Sequence, residues 1–332
     1  MLYSLYIFMD KITAQAELLF NRLTKRYRHL KKWAKRTGTN AFRLYDRDIP
    51  EIPLVLDLYD NAVAGSLYKR PYEKDEREEE AWVAAMKSSV SKALAINENH
   101  IFLKERRRMK QRQNTGVQYG KMSAKNFYRD ARERDLVFRV NLSDYLDTGL
   151  FLDARKKRTL IRCEAAGKRV LNLFAYTCSL SVNAAKGGAR QVDSVDLSKT
   201  YLDWGKINFA INGLETGGSF SFIQSDVTKF INEAGRKGLR WDTIILDPPS
   251  FSNSKRTRDT LDIRRDYADL IQKCLSLLSP GGMLWFSSNT KGVKVDANDF
   301  TGTEVRDMGK ELLDEDFRGK RMPVCYRITK KT

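Results

Sequence analysis

Near the start of the chain, apolar residues recur every three or four positions, the period of one helix face. The positions are Ile12, Ala16, Leu19, Leu23, Tyr27, Leu30 and Ala34. Residues 21–36 carry many basic side chains and no acid, so the pattern predicts an amphipathic helix with a basic face. We expect it to end near Gly38, because glycine readily supplies a left-handed cap.

Between Phe42 and Asn141 the pattern changes to short β-prone runs, with a helix predicted after the acid-rich stretch Glu73 to Glu80. Strands are predicted at 42–45, 54–59, 100–103, 126–128 and 136–141. The pattern therefore predicts a helical segment at 1–38, followed by a small α+β module at 39–140.

From about Asp144, apolar β-rich runs alternate with helical stretches, which is the pattern of βαβ units with a parallel sheet. Strands are predicted at 170–174, 191–196, 220–224, 243–247, 283–287 and 325–329, and helices at 180–185, 201–212 and 267–278. Pro280, Gly281 and Gly282 predict a turn before a strand. The fold class is thus α/β, with a parallel-sheet domain at 141–332 and a smaller N-terminal α+β domain.

Charge narrows the choice of partner. The chain of 332 residues has 60 Lys and Arg against 42 Asp and Glu, a formal net charge of +18. Such a field attracts polyanions, and nucleic acid is the first expectation; a solvated basic surface and an acidic membrane face are the alternatives. No apolar run approaches the roughly 18 residues of a membrane helix, and the start lacks the features of a signal peptide, so we expect a cytoplasmic protein.

Cysteine and histidine are too few and too scattered to predict a disulfide framework or a metal site. The four cysteines are Cys163, Cys178, Cys274 and Cys325, and the chain has two histidines. No Cys-x-x-Cys pair occurs. We therefore expect neither a metal nor a disulfide.

Acidic residues follow three of the predicted parallel strands, and ligands of open α/β sheets bind beyond such strand ends. They are Asp196, Asp226 and Asp247, and a small-residue turn at 172–179 follows the first strand. A helix N-cap explains Asp196 or Asp226 equally well. Because neither Gly-x-Gly-x-x-Gly nor a phosphate-binding P-loop occurs, a nucleoside cofactor without phosphates fits best, and S-adenosylmethionine is such a cofactor.

These segments carry a family resemblance. Asp247-Pro248-Pro249 resembles the fourth motif of Rossmann-like S-adenosylmethionine-dependent methyltransferases, and the string 171–177 resembles their first motif. The strings 42–46, 140–153 and 247–256 resemble the RlmK half of the bifunctional RlmKL 23S rRNA methyltransferases, which makes 7-methylguanine. The resemblance runs from about Ala16 to the C-terminus and implies a large-subunit rRNA methyltransferase.

Carried over by position, the resemblance implies a set of cofactor-binding residues. They are Thr148, Gly149, Asp153, Arg155, Phe174, Ala175, Tyr176, Asp196, Ser198, Asp226 and Asp247. The turn 174–176 would line the methionine part, Asp196 would hold the ribose, and Ser198 and Asp226 would lie near the adenine. Cys178 departs from the family, which has glycine there, and puts a side chain into a turn that approaches the ligand.

The target atom can be argued from chemistry. Methylation of pyrimidine C5 needs a thiolate beside the substrate, and no cysteine is suitably placed in the sequence. Guanine N7 has an in-plane lone pair and needs only positioning, which suits a site that looks poor in His, Cys and Lys. The expected catalytic residues are Asp247, Pro248, Ser250, Phe251 and Asn289, with Asp247 orienting the purine edge and Phe251 stacking on an unstacked base.

Basic clusters supply candidate RNA contacts. They are Lys31, Lys32, Arg106, Arg107, Arg108, Lys255 and Arg256. The expected partner is 23S rRNA or a large-subunit precursor, and the resemblance makes a separate RlmL-like methyltransferase a candidate partner. Two alternatives stay open: an rRNA cytosine-C5 methyltransferase, and an RNA-binding assembly factor that has lost cofactor affinity.

Overall fold

The structure, a computed structural model, describes residues 2–68, 75–106, 121–249, 251–252 and 261–331, and describes residues 2–9, 251 and 252 by their backbone only. The chain folds into two compact units. The first comprises residues up to Leu136 together with Val140–Thr148, and the second comprises Val137–Arg139 together with Gly149–Thr332. The three-part division at residues 38 and 140 stays a prediction. Among the described residues, no helix combines the length and apolar character that crossing a bilayer requires.

The first unit contains two helices and a four-stranded sheet. Its elements are α1 (Leu2–Thr37), β1 (Ala41–Asp46), β2 (Leu54–Tyr59), β3 (Ala62–Tyr68), α2 (Glu76–Leu94), β4 (Ile101–Arg106), β5 (Tyr128–Glu133) and β6 (Leu136–Asn141). The sheet order is β1-β2-β3-β4, with β4 parallel to β3 and the other pairs antiparallel. β5 and β6 form a separate two-stranded sheet.

Helix α1 follows the predicted apolar period. Leu19, Leu23 and Leu30 are fully buried in the core of the first unit. The helix ends at Thr37, and Gly38 follows with φ +70°, the left-handed conformation that favours glycine. Helix α2 begins after Asp75, whose carboxylate accepts from the backbone N–H of Arg77, and its acidic first turn suits the positive end of the helix dipole.

The second unit is a seven-stranded mixed sheet with helices. Its elements are α3 (Arg155–Glu164), β7 (Arg169–Leu173), α4 (Ser179–Lys186), β8 (Gln191–Asp196), α5 (Lys199–Ile211), β9 (Phe220–Gln224), α6 (Val227–Arg236), β10 (Trp241–Leu246), β11 (Phe251–Ser252), β12 (Leu261–Asp262), α7 (Ile263–Ser276), β13 (Leu278–Ser288), β14 (Thr303–Asp307) and β15 (Val324–Lys330). The order is β14-β15-β13-β10-β7-β8-β9. The five strands from β13 to β9 are parallel to one another. β15 runs antiparallel to β13, and β14 runs antiparallel to β15.

The predicted α/β class with a parallel sheet is confirmed. The turn predicted at Pro280 to Gly282 is wrong as a boundary, because β13 begins at Leu278 and its pairing with β10 shifts register there. Helix α3 and strand β14 were not among the predicted elements. Six of the ten residues in α3 are charged, and β14 is a short, largely exposed edge strand, so neither shows a clear apolar period.

Candidate functional site

The parallel strands of the second unit bring the predicted acids to one edge of the sheet. Asp196 is the last residue of β8, Asp226 lies two residues after β9, and Asp247 follows β10 directly. The turn 174–178 leaves the same edge between β7 and α4. β7 lies between β8 and β10 in the sheet, so these carboxyl ends surround the chain reversal where open α/β folds bind ligands.

The turn after β7 is built from alternating left-handed residues. Phe174, Tyr176 and Cys178 have φ of 57°, 52° and 60°, although none is glycine. The backbone N–H of Ala175 donates to the carbonyl of Val195 at 3.0 Å, which ties the turn to β8. Strained backbone of this kind is characteristic of functional sites, where the surrounding structure holds it in place.

The carboxylate of Asp196 joins this turn to helix α5. Its Oδ2 accepts from the backbone N–H of Tyr176 at 2.9 Å, and its Oδ1 accepts from the backbone N–H of Ser198 at 2.8 Å. Burial raises the pKa of Asp196 despite these hydrogen bonds. A carboxylate has about four lone-pair sites, so both oxygens keep capacity for further donors such as the two hydroxyls of a ribose.

The residues that cap helices at this edge of the sheet are Ser198 and Asp226, and not Asp196. Ser198 caps α5, since its hydroxyl accepts from the backbone N–H of Tyr201 at 3.3 Å. Asp226 caps α6 by accepting from the backbone N–H of Lys229 at 2.9 Å. Ser198 and Asp226 therefore lie at the predicted edge with a structural duty, whereas Asp196 does not cap a helix.

The side chain of Cys178 is packed into the core. The residue is fully buried, and its Sγ is so close to α5 that a Cβ added at Gly205 would lie 2.4 Å from it. Burial raises the pKa of the thiol to about 12. Gly205 thus provides the space for the side chain of Cys178.

The residues predicted from the segment 148–155 have different surroundings. Thr148 belongs to the first unit, where its hydroxyl lies 2.8 Å from that of Tyr59. Gly149, with φ +98°, packs under the ring of Trp204, and its carbonyl accepts from the hydroxyl of Thr177 at 2.5 Å. A Cβ at Gly149 would lie 2.4 Å from the Trp204 ring, so this position requires glycine.

Arg155 is engaged in a buried ion pair. Its guanidinium donates to Asp314 at 2.9 Å and to Asp316 at 3.1 Å, and Asp316 is fully buried. Arg155 thus anchors the segment 314–316, and its place in the cofactor site stays a prediction. Asp153 lies one helical turn before Lys157, whose pKa its charge helps to raise.

Asp247 lies in a three-membered hydrogen-bonded network that the sequence did not reveal. Lys157 Nζ donates to Asp247 Oδ2 and to Ser287 Oγ, and Ser287 Oγ donates to Asp247 Oδ1, each at 2.7 Å. The side chain of Lys157 is 6% exposed and that of Asp247 is 33% exposed. The expectation of a site poor in lysine is therefore wrong.

Three of the remaining predicted catalytic residues follow Asp247 closely in the sequence, and the fourth, Asn289, comes directly after β13. Pro248 is buried, and Asn289 is exposed two residues after Ser287. Phe251 is described by its backbone, which pairs with Asp262 of β12. Ser250 lies outside the described residues.

Of the predicted RNA contacts, two are exposed in α1 and one is paired. Lys31 and Lys32 are exposed on the basic face of α1. Arg106 contacts Asp147 and donates to the hydroxyl of Ser66 at 3.0 Å. Those contacts make Arg106 a structural cation of the first unit. Arg107, Arg108, Lys255 and Arg256 lie outside the described residues.

The cysteine nearest to this network by strand register is Cys325. It pairs with Ser287 across β15 and β13 and is 2% exposed. Burial raises its pKa to about 12, so the thiol is neutral at physiological pH. The covalent thiolate that pyrimidine C5 methylation needs is not available from it.

The polar groups at this edge of the sheet fit S-adenosylmethionine. Asp196 offers acceptor capacity for a ribose, and the strained turn 174–178 presents backbone close to it. The sequence contains no phosphate-binding loop, which agrees with a cofactor that carries no phosphate.

The fold and the residues at this edge of the sheet are those of one class of enzyme, and similarity to known proteins identifies that class. The family model for S-adenosylmethionine-dependent methyltransferases matches residues 53–306, and the chain belongs to this family. Among solved structures, the methyltransferase SMU.776 complexed with SAH has a TM-score of 0.73 and 25% identity, covering 95% of this chain and 81% of that one.

Two curated relatives of this chain have more specific names. The ribosomal RNA large subunit methyltransferase K of Neisseria meningitidis serogroup B is 42% identical over 94% of this chain and 87% of the relative. The ribosomal RNA large subunit methyltransferase K/L of Pseudomonas fluorescens is 38% identical over 96% of this chain and 41% of the relative. This chain thus spans about two-fifths of the length of the K/L protein. The expected similarity to RlmK-type proteins is confirmed.

Proposed function

We propose that this methyltransferase modifies N7 of a guanine in 23S rRNA, or in a large-subunit precursor. The names of the relatives and the net charge of +18 support an RNA substrate. The observation that carries the choice of base is the Asp247 carboxylate, which has both oxygens fixed and is one-third exposed.

The free acceptor sites of Asp247 suit guanine. Each oxygen of the carboxylate accepts one described hydrogen bond, which leaves about two lone-pair sites. The Watson–Crick edge of guanine offers two adjacent donors, N1–H and the N2 amine, whereas adenine and cytosine each place an acceptor beside their amine. Asp247 would therefore bind guanine by two hydrogen bonds.

The chemical step asks little of the side chains. Bound S-adenosylmethionine supplies an electrophilic methyl group on a sulfonium. Because N7 would accept this methyl group with its own lone pair, no side chain of the protein has to remove a proton. Asp247 orients the base and stabilises the positive charge that the purine gains, while Asp196 and the turn 174–176 hold the cofactor.

A base inside folded rRNA must be unstacked before this geometry is possible. We assign Phe251 to stacking on the extruded base and Asn289 to a polar contact at the mouth of the site. Pro248 keeps the chain after Asp247 rigid, and Ser250 stands where related amine methyltransferases have an aromatic residue.

Phosphate contacts would come from the basic segments. Lys31 and Lys32 are suited to them by exposure. Arg107, Arg108, Lys255 and Arg256 are proposed on charge alone, and Arg106 acts indirectly, through its pairing with Asp147. We place the protein in the cytoplasm, with a separate RlmL-like methyltransferase as a candidate partner.

The test is product identification. The protein is incubated with radiolabelled S-adenosylmethionine and 23S rRNA from cells that lack its gene, and the RNA is digested to nucleosides. Label in 7-methylguanosine supports the proposal, and Asp247→Ala should abolish it while RNA affinity is retained. Label in 5-methylcytidine would refute the guanine assignment. If no label appears on rRNA or on precursor particles and calorimetry detects no cofactor binding, the assembly-factor alternative is favoured.

A further inference from the structure

Lys157 is a buried cation to which neither cofactor binding nor RNA binding has assigned a role. An ammonium group this deeply buried is costly unless it is paired and hydrogen-bonded. Here the pairing is specific, because Nζ contacts both Asp247 and Ser287 at 2.7 Å. Helix α3 is thereby joined to the ends of two neighbouring strands, β10 and β13.

We propose that Lys157 is a positioning residue for substrate recognition: together with Ser287 it fixes the Asp247 carboxylate with its remaining lone pairs directed to the guanine. The proposal deepens the proposed function and rests on it for the identity of the base. Lys157 itself need not touch the RNA.

The geometry supports a clamp on both oxygens. Lys157 holds Oδ2 and Ser287 holds Oδ1, and Lys157 also holds Ser287, so the three groups brace one another. Rotation of the carboxylate about its Cβ–Cγ bond would break two hydrogen bonds at once. A carboxylate fixed in this way recognises paired donors without first losing rotational freedom.

The groups around the network keep Lys157 charged. Burial opposes the ammonium form, but Asp247, assisted by Asp153, raises the pKa of Lys157 above its usual value. Cys325 on β15 is neutral because burial raises its pKa to about 12, and the charge of Asp307 on β14 acts in the same direction on that thiol. Lys157 is thus the cation in hydrogen-bond contact with Asp247 in this network.

The test compares Lys157→Met with two matched variants. Lys156→Met is the control, because the neighbouring Lys156 donates to the carbonyl of Leu313 at 2.6 Å and not to Asp247. Lys157→Arg restores the charge. Thermal unfolding of each variant shows whether it is folded, and calorimetry with S-adenosylmethionine shows whether the cofactor site is intact.

Two readouts distinguish positioning from a structural role. The first is the carboxyl signal of Asp247 in the RNA-free protein at one neutral pH, followed by NMR of 13C-labelled aspartate and assigned with Asp247→Asn. Loss of the hydrogen bond from Lys157 should shift this signal. The second is kcat/KM for RNA, which should fall by at least about tenfold in Lys157→Met while S-adenosylmethionine affinity is unchanged, because the carboxylate must then be ordered when the base binds. Lys157→Arg should return both toward wild type, and Lys156→Met should leave both unchanged.

The proposal is overturned if Lys157→Met binds cofactor but leaves the Asp247 signal and kcat/KM for RNA unchanged. It is also overturned if Lys157→Arg behaves like Lys157→Met, because shape and not charge would then matter. Failure of the proposed function has another signature, since the wild-type product would not be 7-methylguanosine. The Asp247 signal still tests the clamp in that case, because it needs no RNA.

Discussion

The close packing of Cys178 against Gly205 predicts that the effect of one substitution changes sign with the other. In the wild type, Gly205→Ala adds a Cβ 2.4 Å from the Sγ of Cys178 and 2.9 Å from its Cβ. Relief of such overpacking requires a shift of about 1 Å and costs about 1–3 kcal/mol. The intrinsic advantage of Ala over Gly in a helix, about 1 kcal/mol, offsets part of this cost. We expect Gly205→Ala to destabilise the protein and to weaken cofactor binding.

In a Cys178→Gly background the same change should be favourable. Both atoms that clash with the new Cβ are gone, and Phe222 at 3.5 Å is at ordinary contact distance. The helix advantage of about 1 kcal/mol then remains. Urea unfolding of the four proteins measures the cycle, and calorimetry with S-adenosylmethionine measures the site. Equal effects of Gly205→Ala in both backgrounds would refute this account of how the turn tolerates cysteine.

Three further outcomes are expected. Asp196→Ala should weaken S-adenosylmethionine binding by at least about tenfold, since one hydrogen bond to a charged group is worth about 1.5–3 kcal/mol, whereas the exposed Asp203→Ala should not; calorimetry compares the two. Lys31→Ala with Lys32→Ala should reduce the slope of log RNA affinity against log salt by about 1–2 without changing cofactor affinity, and an unchanged slope would exclude these residues from RNA binding. Burial lowers the pKa of Lys104 to about 8, so the unfolded state binds more protons between that pH and about 10.4, and stability relative to Lys104→Met should rise across this window. A flat difference in unfolding free energy would contradict that expectation.

The edge of the sheet was predictable because two local rules combine there. Apolar runs locate parallel strands, and a residue at the carboxyl end of a parallel strand lies at the same edge as its neighbours. Asp196 and Asp247 could therefore be grouped although they are 51 residues apart in the sequence. Whether an acid there caps a helix was not predictable, since capping depends on where the helix begins to within one residue.

Helix α3 shows what the sequence could not reveal. Its basic residues look like a solvated surface, yet Arg155, Lys157 and Arg158 are all buried. Their identified partners include acids or carbonyls brought close by the tertiary fold: Lys157 meets Asp247 from 90 residues away in the chain. Local periodicity carries no information about such pairs. Arg155, which the resemblance implies for the cofactor, likewise meets Asp314 and Asp316 from 159 and 161 residues away.

The left-handed turn after β7 has a consequence for the rate of cofactor binding. Three non-glycine residues in that conformation cost about 1–3 kcal/mol each, and the protein meets this cost when it folds. A glycine-rich turn would instead lose its freedom when the ligand arrives. Encounters with S-adenosylmethionine should therefore require little rearrangement of the backbone, and substitutions in the turn should alter how long the cofactor stays more than how fast it enters.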